Sequence, residues 1–331
     1  MTEWRTGPNN AITDVPGIRV GHFTDRKGAT GCTVVLCDSA RFAAADVRGG
    51  APGTRETHVL DPANVVRTCH AIVLSGGSAF GLAAASGVMR WCEEHEIGFA
   101  TTRRRVPIVT GAVLYDLGVG DANAFPGDET GYVAASRAKR GAVAEGSVGA
   151  GTGATVAKLL GPDRCLKGGI GTASAVGPGG LVVGALVATN AVGSVFDPET
   201  GALVAGPRNP DGTMASLPDS LEQRRAAMEA LLENTTLMCV ATNANLEHHQ
   251  VQRLAMQAHD GFARVVSPAH SFSDGDVAFA VSMGGVDLGA DTPMLAGMLV
   301  ARAVEQALLR SVRLARGVKG VPSAAEFGAS R

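Results

Sequence analysis

Asn234-Thr235-Thr236-Leu237-Met238-Cys239-Val240-Ala241-Thr242 is the stretch around which this chain is organised. An amphipathic helical pattern over Leu221 to Glu233 runs straight into this β-prone apolar run, with Asn234 alone between them. Helix-to-strand connections ordinarily take several residues to reverse direction, so two readings stand. In one, Asn234 stops the helix and the threonines open a strand. In the other, the Asn234–Thr235 bond breaks itself and leaves a threonine whose hydroxyl has its own α-amine beside it as a base. Threonine at a strand start is routine, so local sequence alone favours the first reading.

Composition narrows the setting. A chain of 331 residues can form one large or two ordinary domains. The Pro-, Gly- and Asn-rich loop from Asp197 to Asp219 is the best linker candidate, but no shift in composition accompanies it, so one domain is predicted over 1–331. Hydrophobic residues make up 45% and aromatics only 4%, so the interior has to be built from Ala, Val, Leu and Ile, a compact α/β composition. A net charge of −2 offers no general attraction to phosphate backbones or anionic lipid, which argues against nucleic-acid and membrane partners. The six cysteines are scattered, without Cys-x-x-Cys or histidines at zinc spacing, and read as buried thiols in a reducing compartment. Met1 to Ile12 lacks a signal-peptide pattern and every long apolar run is interrupted, so a soluble cytoplasmic protein is expected.

Outward from Thr235, strands are predicted at Ile18 to His22, Cys32 to Cys37, Ala71 to Leu74, Val106 to Val109, Ala112 to Tyr115, Leu181 to Val195 (one strand or a pair) and Val277 to Val281. Helices are predicted from Asp61-Pro62, from Ser78 to Glu94, near Ala134, from Leu246 to Ala258 behind an Asn245 cap, and from Pro293 to Arg316. The segment from Ala43 to Arg55 reads as irregular, and the glycine-rich run from Gly146 to Gly153 as a place of close backbone approach. The alternation is too loose for regular βαβ units, so mixed sheets covered by helices are expected.

Several familiar chemistries fit poorly. Ser75-Gly76-Gly77-Ser78-Ala79-Phe80-Gly81 lacks the spacing of a dinucleotide loop, and Phe80 stands where a hydrolase elbow needs glycine. It reads as a strand-to-helix turn capped by Ser78. Gly151-Thr152-Gly153 with Lys158 lacks the Gly-Lys-Ser/Thr of a phosphate loop. His248 and His249 complete no zinc motif and read as surface or cap residues, and Asp274 and Asp276 have too few oxygen neighbours for a calcium loop. No metal or cofactor is expected. A threonine nucleophile at 235 needs an oxyanion donor and groups that orient its amine. Lys158, Asn190, Tyr115, Asp274 and Asp276 stand at the ends of apolar segments, where such groups can converge.

Taken in order along the chain, Asn10 to His22, Gly76-Gly77-Ser78-Ala79-Phe80-Gly81-Leu82, Val106-Pro107-Ile108-Val109, Gly151-Thr152-Gly153, Lys167-Gly168-Gly169 and Thr235 to Asn243 resemble the self-cleaving N-terminal-nucleophile peptidases and amidases. That family includes D-aminopeptidase, β-peptidyl aminopeptidases and the endo-hydrolases of 6-aminohexanoate (nylon) oligomers. The resemblance implies a four-layer αββα sandwich of the ornithine acetyltransferase type. It also implies cleavage before Thr235 into chains 1–234 and 235–331. By the same resemblance Thr235 is the nucleophile rather than Thr236, Lys158 the lysine, Asn190 the oxyanion donor, Tyr115 the tyrosine, and Asp274 and Asp276 the orienting pair. The Asn234-Thr235 pair and the Asp-x-Asp are similar to the nylon-oligomer branch, whereas the aminopeptidases have serine after glycine and Ser and Glu at the last pair. The implied substrate is a small amide or peptide, a linear ω-amino-acid oligomer or, alternatively, a peptide with an amino-terminal D- or β-amino acid. A related acyltransferase chemistry and an uncleaved binding protein are the remoter alternatives. The family also implies a homotetramer of cleaved protomers.

Overall fold

A computed structural model describes residues 5–226 and 234–329. Ten strands build its two principal sheets: β1 (Arg19–Asp25), β2 (Thr30–Leu36), β3 (Phe42–Val47), β4 (Thr54–Arg55), β5 (Ala71–Ser75), β6 (Val109–Val113), β7 (Gly169–Val176), β8 (Val182–Asn190), β9 (Thr235–Ala244) and β10 (Val277–Val286). The helices that matter here are α1 (Ala84–Glu94), α2 (Asp128–Ser136), α3 (Leu217–Ala226), α4 (His248–Val265) and α5 (Thr292–Arg313).

The first sheet has the order β1-β2-β5-β6-β4 and the second β7-β8-β9-β10-β3. Each is antiparallel except for one parallel pair, β5 with β6 and β9 with β10. The small apolar residues predicted to form the interior sort into three cores. One lies between the sheets, where Val35, Ile72 and Leu74 meet Leu186, Leu237 and Phe279. A second lies under α4 and α5, with Val187, Met238 and Val240 against Leu254, Phe262, Val300 and Leu308. The third joins α1 and α2 to the outer face of the first sheet through Val34, Val73, Val88 and Ala134. Each aliphatic side chain taken fully out of water contributes roughly 1.5–3 kcal/mol, and both sheets are covered on both faces. The layers are therefore helix, sheet, sheet, helix, the αββα arrangement.

Some local expectations are corrected. Ala43 to Arg55 is not irregular: β3 forms its first half as an edge strand antiparallel to β10. Its alanines pack on a crowded layer, residues 48–53 leave the sheet, and β4 joins the other one. Asp61-Pro62 starts no helix, because Asp61 closes a turn instead, accepting from Ala63 N–H at 2.8 Å. Ser78 is not a cap: it lies at φ +52° and makes no capping bond, and a 3-10 segment Ser78–Ala83 precedes α1. Asn245 does not cap α4, which begins after Glu247, where the Gln250 side chain accepts the Glu247 N–H at 2.9 Å. His248 is buried, its Nε2–H donating to Ala43 O at 2.8 Å, while His249 is exposed. The predicted helix over Leu221 to Glu233 is seen as α3 up to Ala226, and its remainder lies outside the described residues. All six cysteines are buried thiols. Among the described residues no helix is long and apolar enough to cross a membrane.

Candidate active site

Strand direction brings the candidate residues to one end of the second sheet. β8 runs antiparallel to β9, so its last residue, Asn190, lies opposite the first residue of β9, Thr235. β10 runs parallel to β9, so the turn before it starts beside the same point, and Asn234 bridges to Asp274. Asn234 and Thr235 are buried, at 4% and 5% exposure. The Thr235 hydroxyl donates to the Asn234 carbonyl oxygen at 2.5 Å, and Gly275 N–H donates to the same oxygen at 2.8 Å. The carbonyl of the 234–235 peptide bond thus carries two donors. Gly275 has no side chain for a spatial reason, since a Cβ there would come within 2.7 Å of the Thr235 hydroxyl oxygen.

On the β8 side, the Asn190 side-chain oxygen accepts from Thr155 N–H at 2.9 Å and from the Lys158 ammonium at 3.0 Å. Lys158 also donates to Asn190 O at 3.1 Å. Two donors on one atom identify it as the oxygen, so the amide nitrogen points the other way and donates to Tyr115 O at 2.9 Å. Tyr115, which follows β6 of the other sheet, meets Asn190 through its carbonyl. Lys158 is carried into place because its segment runs beside the chain after β8, with Ala157 N–H on Gly193 O and Lys158 N–H on Val192 O.

On the β10 side, Asp276 is fully buried and accepts Thr236 N–H at 2.7 Å, fixing the start of β9. Its other oxygen accepts from His270 N–H at 3.2 Å and faces His270 Nδ1 at 3.0 Å. Asp274 accepts from the Ser271 hydroxyl at 2.6 Å and from Ser271 N–H at 2.9 Å. Burial, and then the neighbouring Asp276 charge, push the Asp274 carboxyl above its usual range.

A second tier supports these groups. Lys167 is fully buried, its ammonium donating to Thr152 O at 2.9 Å and also to Ala154 O, and burial pushes its pKa down to about 7. It ties down the glycine-rich loop from which Thr155 reaches Asn190. Asp116 faces the same region and is pushed up to about 6 by burial. Among the described residues no group of three or more His, Cys, Asp or Glu side chains is placed to hold a metal ion.

The model of peptidase family S58 matches residues 10–325. The chain belongs to this family. Among S58-like relatives, an uncharacterized aminopeptidase of Mycobacterium leprae is 43% identical, covering 96% of this chain and 93% of its own. A 6-aminohexanoate-oligomer endohydrolase of a Kocuria strain is 30% identical, covering 86% and 78%. Of solved structures, a Burkholderia β-aminopeptidase superposes with a TM-score of 0.73 at 24% identity over 100% of this chain and 95% of the other. The Ochrobactrum anthropi L-aminopeptidase D-Ala-esterase/amidase, described as a variant of the N-terminal-nucleophile hydrolase fold, gives 0.73 at 23% over 97% and 91%. An S58 member with this fold is a hydrolase of peptide or amide bonds.

Thr235, Asn190, Lys158, Asp274 and Asp276 gather around one peptide bond, and Tyr115 reaches the group by its main chain. Sequence reading missed Thr155, Lys167, His270, Ser271 and Gly275. Lys167 left a trace in Lys167-Gly168-Gly169, a lysine inside an apolar run, and Gly275 stands within the Asp-x-Asp that was singled out. His270 left none, because its role depends on a loop folding back onto Asp276.

Proposed function

We propose that this protein is an autoprocessed N-terminal-threonine amidohydrolase. The carrying observation is the Asn234 carbonyl, which bears both the Thr235 hydroxyl and the Gly275 N–H. In maturation, Thr235 Oγ adds to the Asn234 carbonyl carbon and the hydroxyl proton passes to the Thr235 nitrogen as the C–N bond breaks. Gly275 N–H stabilises the transient oxyanion. Water then hydrolyses the ester, leaving the Asn234 carboxylate and a free Thr235 amine, in chains 1–234 and 235–331.

In turnover, that amine takes the proton from Thr235 Oγ as it attacks a substrate amide. Asn190 supplies the oxyanion donor, with Lys158 and Thr155 holding its amide. The Lys158 charge disfavours a second charge on the amine, which keeps the base neutral. Asp276 holds the strand start through Thr236, and Asp274 backs the turn that carries Gly275.

The substrates are short amides of amino acids. Release of an amino-terminal residue, including D- or β-amino acids, is favoured by the aminopeptidase naming of the relatives at 43% identity. Cleavage of linear ω-amino-acid oligomers is the second reading, favoured by the Asn234-Thr235 pair and by the endohydrolase relative. Denaturing electrophoresis tests maturation: wild type gives two bands and Thr235→Ala one, with hydrolysis lost by on the order of 10⁶-fold. A single full-length band for active wild type, or two bands in the variant, defeats the proposal.

A further inference from the structure

Beside Asn190 opens a cleft of about 290 Å³, lined on the catalytic side by Tyr115, Thr155 and Lys158. Its remaining lining includes two cations that the hydrolytic reading does not use, Arg208 and Lys319. Lys319 stands at the tip of a two-residue hairpin, in which Val318 and Val321 exchange both main-chain hydrogen bonds at 3.0 Å. Its φ is +49° and that of Gly320 is +85°. A turn with both central residues left-handed ordinarily takes Asn-Gly or Asp-Gly, because other L-residues are strained there. Lysine accepts that strain at the rim of a functional cleft, where such cost accompanies a side-chain requirement. Among the described residues its ammonium has no hydrogen-bond or ion-pair partner.

Arg208 is held differently. Its Nε donates to Cys165 O at 3.0 Å, a second guanidinium nitrogen donates to Asp163 O, and the group lies over the Phe327 ring. These contacts fix the plane of the guanidinium without supplying a countercharge, and no described carboxylate lies within ion-pair distance of it. The nearby acids do not neutralise the pair. Asp116 is buried, with its oxygens taken by Gly77 N–H and the Thr30 hydroxyl, both at 2.7 Å. Asp163 is exposed and meets Arg208 only through its main-chain carbonyl.

We propose that Lys319 and Arg208 form a carboxylate subsite, so that the preferred substrates are short amides whose amine-side fragment ends in a free carboxylate. In any peptide or linear amino-acid oligomer the terminal carboxylate belongs to the fragment that leaves as the amine. A cleft near 300 Å³ is at the lower end of small-molecule sites, which places that terminus one or two residues beyond the scissile bond. The inference rests on the hydrolase reading above for the identity of the scissile bond.

The test separates binding from turnover. Calorimetry compares 6-aminohexanoate and β-alanine with their carboxamides on wild type, Lys319→Met and Lys319→Arg. Wild type binds the acids about tenfold more tightly than the amides, the size of one charge-assisted hydrogen bond. Lys319→Met abolishes that ratio and Lys319→Arg restores it. In kinetics on a free-acid dipeptide, the Met variant loses through KM and not through kcat. Equal binding of acid and amide by wild type, binding of neither, or a Met variant that weakens both alike overturns the subsite. Acid preference in a protein that hydrolyses no amide would support the subsite and sink the hydrolase reading, so the two fail separately.

Discussion

On the Asn190 side of Thr235, donors converge: the Lys158 ammonium and Thr155 N–H both point at one amide oxygen. On the Asp274 side, acceptors crowd together: two buried carboxylates one residue apart draw on Ser271, His270 and Thr236 N–H. In the proposed reaction the threonine between them attacks a carbonyl that gains negative charge while its own proton leaves. In that reaction, donors that fix the Asn190 amide and acceptors around the start of the strand set the direction of that charge movement before any substrate arrives. Both sides meet at the reacting carbonyl in the proposed mechanism, with Gly275 N–H of the acceptor side donating to the Asn234 oxygen and the donor side holding the Asn190 amide.

The sharpest break of this contrast is Asn190→Ala, which removes the proposed oxyanion donor. We expect kcat to fall by about 10²–10³ with little change in KM, the usual cost of one such donor. A variant with normal kcat in steady-state assay would shift the oxyanion role away from the donor side.

The next largest effect concerns acid stability of the acceptor side. His259 packs edge-on to His270 and donates to Asp46 O, and burial pushes its pKa down to about 4. Between pH 6.5 and 4 the unfolded chain binds a proton there that the native chain refuses. Its contribution is therefore full above pH 6.5 and is lost as pH falls through about 4, amounting to up to about 3 kcal/mol. His259→Gln keeps a donor for Asp46 O without titrating. Its thermal midpoint should fall less steeply over that range than that of wild type, and equal slopes would locate the acid sensitivity elsewhere.

The smallest effect is a shift of a pH profile. Asp276→Asn keeps an acceptor for Thr236 N–H but removes the charge that, after burial, raises the Asp274 pKa. Asp274 then ionises at lower pH, so the acid limb of the self-cleavage rate, followed by electrophoresis across pH, moves down. The raised pKa means that Asp274 favours the fold most below its unfolded pKa and loses that advantage as pH rises through the folded value, a loss that is smaller and complete at lower pH in the variant. An unmoved limb would show that the two carboxylates do not share one electrostatic field.

Much of this arrangement was legible before any coordinates. The apolar runs Thr235 to Thr242 and Val277 to Val281 announce strands that the structure extends to Ala244 and Val286, and the resemblance selects Thr235 over Thr236. β3 was not legible, because Ala43-Ala44-Ala45 has no strand propensity of its own and becomes a strand only by pairing with β10. Ser78 and Asn245 misled for the converse reason, since capping chemistry was present in the residue type but the backbone went elsewhere. His270 and Thr155 were invisible because hydrogen bonds between loops leave no periodic trace.

By itself the sequence determined the residue types of the candidate site, a core built mainly from small and branched aliphatic residues, and the apolar runs that had to become buried strands, since these follow from side-chain chemistry and local pattern. Only the tertiary structure decided that β8 runs against β9 while β10 runs with it, which puts Asn190, Thr235 and Asp274 at one sheet end. Strand direction and loop contacts are set by packing between segments far apart in the chain, and no local pattern encodes them.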